Sequence, residues 1–288
     1  MPAYQPGILS PQPPHARSLF FSLIPGTDPR VALRDLARLS DGNRLVIGIG
    51  PTLASALGHD IPGLHALTPI TANGVAVPST PRALWCWLRG TDRGELLKHA
   101  QELENVLAGA FRLDQSLDTF MHQHNRDLTG YEDGTENPEG DDALHAAFTA
   151  DGSSFVAMQQ WQHDFTAFHA LSRTEQDDVI GRRRDDNEEL DDAPASAHVK
   201  RTAQESFVPE AFVLRRSMPW SDGQQGGLLF IAFGHSLRAF EVQMARMAGL
   251  EDGIVDALFR ISQPLTGDSF WCPPLKDGHP DMALPGLA

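Results

Sequence analysis

Ser154–Gln162 reads SFVAMQQWQ, and Phe165–Ile180 reads FTAFHALSRTEQDDVI. The first stretch alternates as a strand does, and the second is helical in pattern. After a long polar segment come two more strand-like runs, Ala211–Arg215 (AFVLR) and Leu228–Phe233 (LLFIAF). Ser236–Ala248 has helical spacing at Leu237, Phe240, Met244 and Met247, and Ser269–Cys272 is a short closing strand. The order is strand–helix–strand–strand–helix–strand. The same order occurs once before it. Ser18–Ile24 reads as a strand, Val31–Leu39 as a helix, and Arg44–Gly50 and Ala83–Leu88 as strands. Glu95–Phe111 then reads as a helix and Ser116–His122 as a short strand. Each set is the split βαβ, or ferredoxin-like, unit, with an antiparallel sheet and helices packed on it. The expected fold is therefore α+β and duplicated, with halves at 1–140 and 141–288. The duplication rests on element order, because no residue-level repeat is visible.

The 288 residues carry 23 Lys and Arg against 38 Asp and Glu, a net charge of −15. That balance argues against a nucleic-acid partner, which needs a basic face. It argues equally against docking on an anionic membrane. No apolar run approaches the roughly 18 residues of a membrane span. Cys86 and Cys272 are too few for a disulfide framework, a Cys-rich zinc site or an iron–sulfur cluster. No Cys-x-x-Cys-His motif for covalent haem attachment occurs. The opening MPAYQPGILSPQPPHARS has neither an apolar signal-peptide core nor twin arginines, so the expected location is the cytoplasm.

Three segments carry candidate chemistry. In Gly130-Tyr131-Glu132-Asp133-Gly134-Thr135-Glu136-Asn137-Pro138, two glycines bracket an aspartate between the halves. Glycine permits positive φ and close backbone approach to a ligand. By spacing alone the segment reads as an acidic surface linker with an Asp-Gly turn. In Ser196-Ala197-His198-Val199, the histidine is one of 12. It stands out because it lies in the 181–210 insertion, and loops of that length are often functional. In Val213-Leu214-Arg215-Arg216-Ser217-Met218-Pro219, strand alternation sends Arg215 and Ser217 to one face. A solvated edge strand accounts for that pattern too.

Taken together, the three segments resemble the dye-decolourising peroxidases, and more narrowly the compact bacterial B-type group. The G-x-x-D-G signature stands as Gly130, Asp133 and Gly134, extended through Asn137. The proximal-histidine segment stands around His198, and the distal-arginine strand around Arg215, 17 residues later. The resemblance covers nearly the whole chain. It implies a duplicated ferredoxin-like fold of the dimeric α+β-barrel type and haem b bound without covalent links. It implies reduction of H2O2 through a ferryl species and one-electron oxidation of dyes or phenolics, best at acidic pH. His198 would be the iron ligand, with Asp256 accepting from its second ring nitrogen; an exposed helix residue is the other reading of Asp256. Asp133 would act as acid–base catalyst, with a pKa raised by burial and pulled down by Arg215. Arg215 would stabilise charge on the departing oxygen. Ser217 would hydrogen-bond a distal water, and Phe230 would pack over the haem or belong to the core.

Gly134, Thr135, Glu136 and Asn137 would line the cofactor, and Arg182 would pair with a propionate. Arg183 and Arg184 read instead as a solvated cluster paired with the acidic run that follows. That run could bind Mn²⁺, although a solvated loop is the simpler reading. Tyr131, Trp161, Trp220 and Trp271 are candidates for relaying electrons from bulky donors, and equally for the core. The expected partners are H2O2, small reductants and further copies of the chain. Leu284–Ala288 shows no encapsulin-targeting segment. The alternatives are a haem- or porphyrin-handling protein with incidental peroxidase activity, and a haem-free monooxygenase of the same fold.

Overall fold

The computed structural model describes residues 3–282, so the closing Leu284–Ala288 stretch lies outside the described residues. The first half supplies β1 (His15–Leu23), α1 (Arg30–Leu39), β2 (Leu45–Ile49) and α2 (Pro51–Ala56). A small hairpin follows, β3 (Ile70–Ala72) and β4 (Val75–Val77). Then come β5 (Leu84–Gly90), α3 (Arg93–Leu107) and β6 (Phe111–Phe120). The second half supplies α4 (Gly140–Ala147), β7 (Ser154–His163), α5 (Phe165–Ala170), α6 (Arg173–Ile180) and α7 (His198–Arg201). It continues through β8 (Leu214–Arg215), β9 (Met218–Asp222), β10 (Gln225–Gly234) and α8 (Arg238–Met247). It closes with β11 (Ser262–Pro264), β12 (Asp268–Cys272) and a hairpin of β13 (Leu275–Lys276) and β14 (His279–Pro280).

One antiparallel sheet runs β6-β1-β5-β2-β12-β7-β10-β8, with β11 beside β7 and β9 beside β10. Each half therefore places its strands in the order fourth, first, third, second, which is the ferredoxin-like order. The ladders of the halves meet at a single pair, Trp271 opposite Ile49. At the other end β6 lies against β9, where the Thr119 hydroxyl reaches the Met218 sulfur at 3.7 Å. The sheet thus curls on itself around a core drawn from both halves. Trp85, Trp87, Phe233 and Phe270 stack inside it. A second core lies under α1 and α3, and a third between β7 and α8. Leu67, Val75 and Val77 of the first half pack into that third core, so the β3–β4 hairpin backs α8.

Several expected boundaries move. The expected helix 165–180 is two helices, because Ser172 starts a new one. Its hydroxyl accepts from the Glu175 amide at 3.3 Å, and the Glu175 carboxylate accepts from the Ser172 amide at 2.8 Å. The expected helix 95–111 ends at Leu107, ahead of Gly109, and Phe111 already opens β6. The expected strand 211–215 pairs only at Leu214–Arg215, and β9 was not anticipated. The 181–210 segment is not structureless: it holds α7 and a 3-10 turn at Gln204–Ser206.

The N-terminal arm crosses both halves. Arg216 donates to the Ile8 and Leu9 carbonyls at 2.9 Å, and Arg89 to the Pro11 carbonyl at 2.6 Å. Gln12 reaches the Ser217 carbonyl at 2.5 Å. Burial and the charge of Arg216 lower the Arg89 pKa to about 10.

Candidate active site

A cavity opens between the second-half sheet and its helices. The sheet contributes Gln159, Trp161 and His163 from β7, Arg215 from β8, and Leu228 and Phe230 from β10. The helical side contributes His198 at the start of α7, and Phe240, Gln243, Met244 and Met247 from α8. The loop Asp127–Asp133 closes one side. The wall is mostly apolar with a few polar groups, the usual make-up of a small-molecule site.

His198 opens α7 after Ala197, which is extended and fully buried. Its Nδ1 lies 2.8 Å from Asp256 Oδ2. Asp256 is itself fixed: its amide donates to the Met247 carbonyl at 2.8 Å, and its Oδ1 accepts from the Leu258 amide at 2.8 Å. It is 1% exposed. A carboxylate on Nδ1 sets the tautomer and leaves Nε2 as a lone-pair donor. Nε2 has no protein partner among the described residues.

The turn carrying Asp133 is held at both ends. Gly130 and Gly134 sit at φ of 90° and 80°, where a side chain is strained. A Cβ on Gly134 would lie 2.9 Å from the Asn137 amide. The Asp133 amide donates to the Asn125 carbonyl at 3.0 Å, and Asn125 Nδ2 donates to the Asp133 carbonyl at 2.6 Å. The Asp133 carboxyl faces the cavity. Burial raises its pKa above the ordinary aspartate range. The charge of Arg215 pulls it down, that of Asp127 pushes it up, and the Gly134 amide and His198 lower it again; burial prevails.

Arg215 faces the same space with no hydrogen bond from its guanidinium to protein among the described residues, and its Nε is buried without a partner. Asp133 and Arg215 therefore attract across the cavity without a direct ion pair. The backbone of Arg215 is clasped by Asn137, whose Oδ1 accepts from the Arg215 amide at 2.7 Å. Asn137 Nδ2 donates to the Arg215 carbonyl at 3.0 Å. Asn137 thus ties the aspartate turn to the arginine strand and does not itself line the cavity.

Other expected residues stand elsewhere. Ser217 is buried, and its hydroxyl accepts from the Ile231 amide at 3.3 Å. The strand is interrupted between Arg215 and Met218, so simple alternation fails there and Ser217 does not share the cavity with Arg215. Arg182 pairs with Glu136 at 2.5 Å and Glu189 at 3.2 Å, which occupies its charge and that of Glu136 away from the cavity. Thr135 is exposed and accepts from Asn187 at 2.8 Å. Gly134 shapes the turn without lining the space. Arg183 pairs with Asp186 and Glu188 as expected of a solvated cluster. Arg184 departs from that expectation: it is half-buried, with its guanidinium 5.9 Å from the Tyr131 ring. Phe230 lines the cavity, 6.0 Å from Phe240. Among the described residues no group of three or more His, Cys, Asp or Glu side chains forms a metal site.

The sequence reading passed over Asp127, Gln159 and His163. His163 is buried between the Ser262 hydroxyl at 2.8 Å and Asp127 at 2.9 Å. Burial pushes the Asp127 pKa up, but the hydrogen bond and charge of His163 and the hydrogen bonds from Thr129 hold it below the usual range. The missed signal lies in β7, where Phe155, Ala157, Gln159, Trp161 and His163 share one face. Two polar side chains on an otherwise apolar face mark a site rather than a plain core.

A family model described as Dyp-type peroxidase, C-terminal, matches residues 124–277, from just before the aspartate turn to beyond β12. A dye-decolorizing peroxidase of Rhodococcus erythropolis is 30% identical, over 95% of this chain and 87% of its own length. One from Mycolicibacterium paratuberculosis is 32% identical, over 77% of this chain and 67% of its own. Among solved structures, a Dyp-type peroxidase protein from Shewanella oneidensis superposes with a TM-score of 0.88 at 26% identity, covering 95% and 97% of the two chains. A variant of DypB from Rhodococcus jostii RHA1, solved in complex with heme, superposes at 0.83 and 26% identity, covering 92% and 94%. The matched segment holds Asp133, His198, Arg215 and Asp256 together, and on these grounds the chain belongs to the Dyp-type peroxidase family.

Proposed function

We propose that the protein is a haem peroxidase in which His198 carries the iron and Asp133 and Arg215 handle peroxide across the cavity from one another. The observation that carries this is the pairing of a free His198 Nε2, held by Asp256, with an unpartnered Arg215 guanidinium facing the same cavity. The residues fit haem b: an apolar-walled space, one imidazole ready to ligate, and no cysteine motif for a covalent link. When bound, haem supplies the iron at which the peroxide O–O bond breaks and through which electrons pass from the donor.

The chain's own groups do the rest. Asp256 accepts from His198 Nδ1 and makes the imidazole a stronger donor. Asp133 takes a proton from one peroxide oxygen and returns it to the other. Its raised pKa populates both forms above the ordinary carboxylate range, so the peroxide step falls as pH drops through that pKa. Arg215 holds the negative charge on the departing oxygen. Asn137 positions Arg215, Ser217 supports the β8–β9 junction, and Thr135, Glu136 and Arg182 lock the insertion onto the aspartate turn. Small donors reach the cavity, while bulky dyes exchange electrons at the surface. The two ferredoxin-like orders support reading 1–140 and 141–288 as repeats. A cytoplasmic location and assembly into homo-oligomers complete the proposal. Among the described residues no helix is long and apolar enough to cross a membrane.

Rapid mixing of the haem-loaded protein with H2O2 tests the assignment. Asp133→Asn and Arg215→Leu are each expected to slow the peroxide step about 10²-fold or more while haem stays bound. Asp133→Asn should also lose the acid limb of its pH profile. Wild-type rates in both variants would overturn the roles.

A further inference from the structure

Gln159 is 0% exposed in the middle of β7 and lines the cavity. The indole Nε1 of Trp161 donates to its Oε1 at 3.1 Å. An indole has no acceptor, so this bond fixes which end of the carboxamide is oxygen. The remaining Nε2 is then a buried donor with no partner among the described residues. Register places it on the working face. Gln159 stands opposite Phe230, and Arg215 opposite Ala232. Residues 230 and 232 share one face of β10, so Gln159 and Arg215 project from the same side of the sheet. Among the described residues, Arg215 Nε is a second unpartnered buried donor of this wall. Native proteins rarely leave a buried donor unmatched, and two on one cavity wall mark the place of an acceptor oxygen that the protein does not supply.

We propose that Gln159 is a ligand-contacting residue whose carboxamide, beside Arg215, donates to an anionic oxygen of the group bound in the cavity. The inference rests on the haem reading above. That oxygen has two sources with the same chemistry, an oxygen ligand on the iron or a carboxylate of the cofactor itself. In either case Gln159 works without a titration of its own, since a carboxamide keeps its proton across the working range.

Gln159→Met tests this directly. It removes the donor without adding a charge or a titrating group; Gln159→Leu does the same and serves as a second variant should the first fail to fold. The probes are fluoride, titrated into the ferric haem-loaded protein, and apomyoglobin, which draws haem away. If the oxygen sits on the iron, both variants weaken fluoride binding about tenfold and shift the charge-transfer band. Haem transfer to apomyoglobin then stays at the wild-type rate. If the oxygen is a cofactor carboxylate, transfer speeds up about tenfold at constant fluoride affinity. That difference then vanishes with haem dimethyl ester. Wild-type fluoride affinity together with wild-type haem transfer in folded variants would overturn the assignment of Gln159. A wild-type protein that gives no Soret band after haem addition would instead overturn the haem reading and this inference with it.

Discussion

At the scale of single residues, the site separates groups that touch the cavity from groups that hold them. Asp256 belongs to the second kind: buried, and bonded to His198 through one oxygen and to the Leu258 amide through the other. Replacing it with Asn keeps the shape and removes the charge that favours a strongly donating imidazole. We expect Asp256→Asn to lower haem affinity about 10–100-fold, read as faster transfer to apomyoglobin. An unchanged transfer rate would remove Asp256 from the site. His198, Asp133 and Arg215 were legible because each sits in a short motif whose residue types carry the chemistry. Ser217 and Arg182 were misplaced because their surroundings are tertiary. No local pattern tells that the chain breaks its alternation after Arg215, or that Glu136 and Glu189 reach Arg182 first.

At the scale of elements, β12 carries a carboxylate that the peroxide chemistry does not use. Asp268 is 1% exposed; its Oδ2 accepts from the Thr80 hydroxyl at 3.1 Å, and its Oδ1 has no partner among the described residues. Burial raises its pKa to about 7, against the charge of Arg82 and the Thr80 bond, with Asp114 adding to the rise. The folded chain therefore holds this proton more tightly than the unfolded chain. The associated stability is complete below about pH 4 and is lost as pH rises through about 7. Asp268→Asn should flatten that decline. Thermal unfolding followed from acidic to mildly alkaline pH is the measurement, and parallel curves for the two proteins would contradict it. The capped start of α6 has its own signal. Ser172→Ala should cost about 1 kcal/mol in denaturant unfolding. The S-x-x-E pattern at Ser172–Glu175 was in the sequence, but apolar periodicity runs through it and hides the break. By contrast, β9 was hidden by Pro219 and by its exposed outer end, Ser221–Asp222.

At the scale of the whole molecule, the charge of −15 sets how donors arrive. Anionic dyes are repelled and cationic donors attracted, and salt screens both effects. Raising ionic strength should increase kcat/KM for an anionic dye several-fold and decrease it for a cationic donor. Salt-independent values for both would exclude steering. Composition supplied this much, and element order supplied the duplication. What neither supplied is how the halves are joined, since a one-residue ladder at Trp271 and a shared aromatic core leave no local trace. The N-terminal arm adds a consequence in time. Its carbonyls at Ile8 and Leu9 wait for Arg216, which follows them by 208 and 207 positions. At roughly 5–20 residues per second, a ribosome needs roughly 10–40 s to make that stretch. Through that interval the nascent first half holds its arm only by its own contacts, Arg89 on the Pro11 carbonyl and Gln5 on Ile47. A chain truncated before Arg216 never gains the second clasp, and its Ile8 and Leu9 carbonyls stay without the guanidinium that closes them in the full chain.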